Sequence, residues 1–183
     1  MTGMFKWLLA LGLIALLGAC EGPASDLKDP PVDLGDFRLG HNIVVARAPQ
    51  LVPGSRTATE AEWQAALTKA IDDRFGRYDG TRIYTIGISV DAYNLAAIDV
   101  PGVPTPKSAL AVTATLWDDA RQAKLNEKAK VLTVLGVFSG AGIQPTREVQ
   151  LTNLSELMAR SVQAWFLEHP EWFETEQVAA DPG

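Results

Sequence analysis

Residues 82–95, which read RIYTIGISVDAYNL, decide the fold. Apolar side chains occupy every second position of this stretch: Tyr84, Ile86, Ile88, Val90 and Ala92. Small or polar residues stand between them: Thr85, Gly87, Ser89 and Asp91. Such alternation predicts a β-strand with one buried face and one open face.

Residues 108–118, SALAVTATLWD, repeat this pattern in a second strand. The core-facing positions would be Leu110, Val112, Ala114 and Leu116. The opposite positions would be Ala111, Thr113, Thr115 and Trp117. We therefore expect two neighbouring strands in a sheet that is packed on one face.

Two helices flank these strands in the sequence. Thr59 and Glu62 have the spacing of a capping box, and apolar residues follow at helical intervals until Gly76. A second amphipathic pattern predicts a helix over residues 145–168, which Pro170 would end. Both helices would cover the packed face of the sheet.

Two further strands complete the expected sheet. Residues 37–46 form the first, with four residues on its buried face: Phe37, Leu39, Ile43 and Val45. Residues 128–138 are apolar on both faces, which favours a central position or a covered second face. The order β-α-β-β-β-α predicts an α+β two-layer sandwich: a mostly antiparallel four-stranded sheet with two helices on one face. We expect one domain over residues 36–173, followed by a polar tail over 174–183.

The N-terminus has the features of a secretory signal. One basic residue, Lys6, precedes an apolar run that extends from Trp7 to Ala19 and has 13 residues. This run is shorter than the roughly 20 residues that span a bilayer. We therefore predict an exported chain whose signal peptide covers residues 1–19.

The end of this signal resembles the lipobox of bacterial lipoproteins. Leu17, Gly18 and Ala19 precede Cys20, which is the only cysteine of the chain. The resemblance implies cleavage between Ala19 and Cys20, a diacylglyceryl group on the Cys20 thiol, and further acylation, such as palmitate, at the new N-terminus. The alternative is an ordinary secretory signal with a chance cysteine.

The lipobox also predicts where the protein is found. Lipid on Cys20 would hold the chain to an envelope membrane, facing the periplasm. Glu21, in place of the aspartate that favours inner-membrane retention in enterobacterial lipoproteins, indicates the outer membrane. Residues 20–35 are rich in turn residues and would form a lipidated tether.

The element order behind a lipobox resembles two lipoprotein families. One contains the small lipoprotein of lipopolysaccharide assembly, and the other contains the auxiliary lipoproteins of envelope ABC transporters. The resemblance covers residues 37–168 and concerns the order of elements, so it implies a fold and no site residue.

Composition excludes several kinds of function. Removing residues 1–19 from the 183 leaves 164 residues, with 22 acidic and 15 basic residues (16 minus Lys6), a formal charge of −7. Nucleic-acid binding depends on cationic contacts to phosphate, which this charge opposes. With Cys20 lipidated, no thiol remains for a disulfide, a nucleophile or a thiolate metal site.

No motif in the sequence indicates catalysis, a metal or a cofactor. Asp118 and Asp119 are adjacent acids in a predicted turn, where carboxylates more commonly serve the turn itself than a metal. His41 lies in a strand and His169 at a helix end, positions that favour structural roles. We therefore predict no catalytic residue, no metal ligand and no cofactor.

The open face of the sheet is the candidate site for a partner. Trp117, Thr115 and Thr113 would lie on it, and aromatic residues are enriched among interface anchors. The alternative is a merely exposed aromatic at a strand end. We expect a non-enzymatic binding or assembly component of the cell envelope, bound to the bilayer through acylated Cys20 and to an envelope protein. The alternative function is a periplasmic lipoprotein with a small-ligand or hydrolytic site.

Overall fold

The computed structural model describes residues 24–97, 108–136 and 145–174. The strands are β1 (Arg38–Val45), β2 (Gln50–Leu51), β3 (Ile83–Asn94), β4 (Ser108–Asp118), β5 (Ala123–Lys124) and β6 (Lys130–Gly136). The α-helices are α1 (Glu60–Phe75) and α2 (Arg147–Leu167), and short 3-10 helices form at Ser25–Lys28 and Pro170–Trp172. None of the helices in these ranges has the length and apolarity to cross a bilayer.

The strands form one mixed sheet with four rows. β3 and β4 pair antiparallel at its centre. β1 and β2 lie end to end along β3, and β6 and β5 lie end to end along β4. The predicted α+β class and the antiparallel order of β3, β4 and β6 are confirmed. β1 runs parallel to β3, because α1 crosses over between them, so the sheet is mixed and its rows are broken into six strands.

Both helices cover one face of the sheet, and their N-termini are joined. Thr59 and Glu62 form the predicted capping box. Both carboxylate oxygens of Glu62 also accept hydrogen bonds from Arg147, in the first turn of α2. The Arg147 guanidinium, followed by the Thr59 donors, lowers the pKa of Glu62 to about 2. One glutamate thus caps α1 and ties α1 to α2.

The predicted face of β1 is wrong beyond Leu39. A bulge at Gly40 shifts the register with β3 between Leu39 and His41. One extra residue reverses the side to which every later side chain points. Ile43 and Val45 therefore lie on the open face and are exposed, whereas Phe37 and Leu39 lie on the core side.

The prediction that residues 128–138 are central or covered is also wrong. β6 pairs only with β4 among the described strands, so it forms an edge of the sheet. Leu132 is buried under the helices, but Val131 and Leu135 are 64% and 54% exposed. β6 is apolar on both faces because one face packs under the helices and the other carries apolar side chains that stay uncovered.

The segment before β1 packs against the helices. We call residues 24–37 the strap. Asp26 forms two hydrogen bonds with Arg74 of α1, and Tyr78 donates to the main-chain oxygen of Val32. Leu34 and Phe37 are buried in the core. Most of the segment that the sequence assigns to the tether is thus bound to the domain.

The C-terminal segment packs against the core. Phe173 is buried and packs against Phe37 and Tyr84. The Tyr84 hydroxyl donates to the main-chain oxygen of Trp172, which fixes this segment under β3. The strap and the C-terminal segment meet where the Asp36 main-chain N–H donates to the Phe173 carbonyl.

Candidate docking face

The floor of the open face consists of small side chains on the two central strands. Register places these residues side by side: Thr85 beside Trp117, Gly87 beside Thr115, Ser89 beside Thr113 and Ala92 beside Ala111. Gly87 has no room for a larger side chain, because a Cβ there would lie 2.6 Å from the Thr115 hydroxyl oxygen. The middle of the open face therefore has short and mainly uncharged side chains.

Large apolar side chains stand on both edges of this floor. Ile43 and Val45 rise from β1 on one side, and Val131 and Leu135 rise from β6 on the other. Val45, Ser89, Thr113 and Val131 form one row across the sheet. The two apolar rims and the small-residue floor together define the docking face.

Trp117 closes one end of the docking face. It pairs with Thr85 on one side and Lys124 on the other, and 42% of its surface is exposed. Thr113 and Thr115 lie behind it along β4 and are partly exposed. The sequence prediction correctly places all three residues on the open face, while their role in docking stays a prediction.

Two carboxylates on the docking face accept hydrogen bonds from neighbouring threonines. Asp91 lies at a bulge in β3, which turns Ala92 to the open face, so the predicted buried position of Ala92 is wrong. Asp91 accepts a hydrogen bond of 2.6 Å from the Thr113 hydroxyl. Asp119 accepts one of 2.9 Å from the Thr85 hydroxyl. These bonds orient both threonines, so the floor has a defined shape.

The adjacent acids Asp118 and Asp119 have different hydrogen-bond partners. Asp118 is fully buried and accepts hydrogen bonds from Arg82 and from the main-chain N–H groups of Ala120 and Arg121. Its carboxylate shapes the turn after β4. The described residues contain no group of three or more His, Cys, Asp and Glu side chains placed to hold a metal ion.

The two histidines lie on different elements of the fold. His41 is exposed on β1, whereas His169 follows α2. The His169 ring stacks on Trp172 with 4.0 Å between ring centroids and contacts Glu171. They do not form a catalytic pair.

A small cleft lies between the strap and the end of α2. Its volume is about 240 Å³, and its walls include Leu34, Phe166 and Phe173. Ligand sites usually have roughly 300–1,000 Å³ and several convergent polar groups. Neither His41 nor His169 lines this cleft.

Several sequence predictions concern residues outside the described ranges. They include the signal peptide over residues 1–19 and lipid attachment at Cys20, with cleavage after Ala19. The rims of the docking face, in contrast, were missed by the sequence analysis. Gly40 inside a strand pattern is a known signal of a bulge and could have indicated that Ile43 and Val45 change sides.

Comparison with known proteins supports the fold. The sequence matches no family model and no curated protein sequence. A Xanthomonas campestris protein of the DUF330 family is 14% identical over 78% of this chain and 92% of its own, with a TM-score of 0.52. This likeness shows that the two chains share a fold.

Two other solved structures have lower TM-scores against this chain. A "putative lipoprotein" from Caulobacter crescentus is 13% identical over 73% of this chain and 93% of its own, with a TM-score of 0.41. A hypothetical protein from Chlamydia trachomatis is 9% identical over 75% of this chain and 97% of its own, with a TM-score of 0.43.

Proposed function

We propose that this chain is a non-enzymatic lipoprotein of the bacterial cell envelope that binds a protein partner through its docking face. Acylated Cys20 attaches it to a membrane, which the residue Glu21 indicates is the outer membrane. The domain faces the periplasm. It contributes to an envelope assembly or transport system by holding its partner at the membrane.

The observation that carries this proposal is the uncovered apolar surface on both edges of the sheet. Ile43 and Leu135 are each 54% exposed, and Trp117 stands at the end between the two rims. Apolar side chains grouped on one exposed face are a feature of interaction sites, and exposed edge strands are normally protected. A partner that covers the docking face would bury both rims and supply hydrogen-bonding groups to the threonines of the floor.

Replacing Trp117 with Ala is expected to weaken partner binding about 30-fold, because an aromatic anchor contributes on the order of 2 kcal/mol to an interface. The measurement is photo-crosslinking in cells from a benzoylphenylalanine at position 115, followed by quantification of the adduct in the envelope fraction. We expect one discrete adduct with Trp117 present and its near loss in Trp117→Ala. Val149→Ala is the matched control, since Val149 is 45% exposed but lies on α2.

A crosslinker at Ala65, on the exposed side of α1, gives the negative position for this experiment. We expect no adduct there. An adduct from position 65 and none from position 115 would show that the partner binds the helix layer and would overturn the assignment of the docking face.

A further inference from the structure

The strap is held in the groove between the outer sides of α1 and α2. Asp26 accepts hydrogen bonds of 2.9 Å from both terminal nitrogens of Arg74, and Arg160 of α2 approaches it to 3.2 Å. Ala24 and Leu27 line the same small cleft as Ala70 of α1 and Ala159 of α2. The described chain thus begins on the side of the helix layer that faces away from the sheet.

The Arg74–Asp26 pair joins the start of the strap to α1 through two hydrogen bonds, and we call it the latch. Arg74 is only 3% exposed and also donates to Gln163 of α2 at 2.8 Å. Hydrogen bonding from Arg74 lowers the pKa of Asp26, so the carboxylate stays charged and paired at neutral pH. A bidentate arginine–carboxylate pair fixes orientation as well as distance.

Few residues separate the latch from the predicted lipid. Residues 21–23 alone lie between Cys20 and Ala24. Four Cα–Cα steps span at most about 14 Å when fully extended. The lipid on Cys20 anchors this residue at the membrane interface, so Ala24 must stay within about 14 Å of that point.

Such a short connection restricts how the domain can face the bilayer. The helix layer alone is about 10–12 Å thick, and the sheet lies beyond it. To bring the docking face to the membrane, the connection would have to pass around both layers from its start on the outer helix side. A span of about 14 Å is too short for this path.

We propose that the strap fixes the orientation of the protein on its membrane: the outer side of α1 and α2 rests on the lipid headgroups, and the docking face points away from the bilayer. This inference rests on the proposed function, since it requires lipid on Cys20. The strap then works as a clamp that positions the domain, in contrast to a flexible spacer that holds the domain clear of the membrane.

The charges on the outer helix side fit a neutral or mixed headgroup surface. Basic residues Lys69 and Arg160 lie there with acidic residues Asp73 and Glu156, and Lys69 is paired with Asp73. No polybasic patch of the kind that selects anionic lipid is present among these residues. The orientation therefore depends on the lipid anchor and the latch.

The test uses the full-length lipidated protein in vesicles of phosphatidylethanolamine and phosphatidylglycerol. A fluorophore is attached at Ala65→Cys, on the outer side of α1, or at Thr133→Cys, on the open face of β6. Natural Cys20 is blocked by its lipid. A short-range quencher on the lipid headgroups should remove most of the fluorescence at position 65 and leave that at position 133 unchanged.

The reverse pattern, or equal quenching at both positions, would overturn the proposed orientation. Intact mass is measured on the same samples to establish lipidation. An unlipidated chain that stays off the vesicles would refute the proposed function, whereas a lipidated and bound chain with the wrong quenching pattern would refute the orientation alone.

Asp26→Asn tests the latch in the same assay. It removes the charge from the pair with Arg74 and so weakens the hold on the start of the strap, while farther along Arg77 still donates to the main-chain oxygen of Asp29. A strap that detaches as far as Asp29 has a reach of nine steps from Cys20, or about 32 Å, so the difference in quenching between positions 65 and 133 should become smaller. Asp29→Asn is the matched control and should keep the difference in quenching between positions 65 and 133, because Asp29 contacts Arg77 through its main chain. An unchanged difference in Asp26→Asn would show that the latch does not set the orientation.

Discussion

Phe37→Ala is expected to lower the free energy of unfolding by about 3–5 kcal/mol, the usual cost of truncating a fully buried phenylalanine. Phe37 has no exposed surface, and its ring centroid lies within 6.0 Å of five other aromatic rings: Phe75, Tyr78, Tyr84, Phe166 and Phe173. These rings come from α1, the loop after it, β3, α2 and the C-terminal segment. Phe37 is therefore the residue at which the strap joins the core.

Urea unfolding followed by tryptophan fluorescence measures this effect. Val32→Ala is the matched control, because Val32 belongs to the same strap but its side chain is 53% exposed. We expect Val32→Ala to change the free energy of unfolding by no more than about 0.5 kcal/mol, as other substitutions at exposed positions do. A loss below about 1 kcal/mol in Phe37→Ala would contradict the packing described for the strap.

Asp118→Ala is expected to cost about 3 kcal/mol, since it removes the buried partner of an ion pair together with the acceptor of the turn N–H groups. Asp118 is fully buried, and one of its oxygens lies 2.5 Å from a terminal nitrogen of Arg82. Its other oxygen accepts hydrogen bonds from the main-chain N–H groups of Ala120 and Arg121, and these bonds shape the turn. The substitution therefore removes a charge pair and two turn contacts together.

The neighbouring acid supplies the control for this second experiment. Asp119→Ala removes one hydrogen bond, to the Thr85 hydroxyl, and should cost about 1 kcal/mol. Asp118→Asn should fall between the two, because the amide oxygen can still accept the turn N–H groups. Stability is read by urea unfolding with and without a chelator. Similar losses in Asp118→Ala and Asp119→Ala, or a loss of stability on chelation, would support a shared metal site over a structural role.

The strongest local signals predicted the elements of the fold well. The capping box at Thr59 and Glu62 and the alternation from Tyr84 to Val90 depend on neighbours in sequence, and both are present in the structure. The parallel pairing of β1 with β3 could also have been derived, because a helix between two strands commonly makes a parallel crossover. Local chemistry therefore determined most of the secondary structure.

The errors concern features that only tertiary contacts decide. A single extra residue at Gly40 moved Ile43 and Val45 to the open face, and the hydrophobic pattern does not show in advance where a bulge falls. The apolar strand β6 has the composition of a buried strand but lies at an edge. The rims of the docking face come from these two departures from the simple pattern, which is why the sequence indicated only Trp117, Thr115 and Thr113.

The strap shows the same limit in another way. Its sequence is rich in turn residues, and composition alone indicates a flexible linker. The partners of Asp26 and Phe37 are more than thirty residues away in the chain, on α1, β3 and α2. Such contacts become visible only in the folded protein, and they turn a linker into a part of the domain.

The central claim is that lipid on Cys20 anchors this domain to an envelope membrane. The most direct test is the intact mass of the protein from the membrane fraction, measured beside a Cys20→Ala variant. The account predicts loss of residues 1–19 and the added mass of a diacylglyceryl group and further acyl chains, with both changes absent in the variant. A membrane-fraction protein that retains residues 1–19 or has no acyl mass would contradict it.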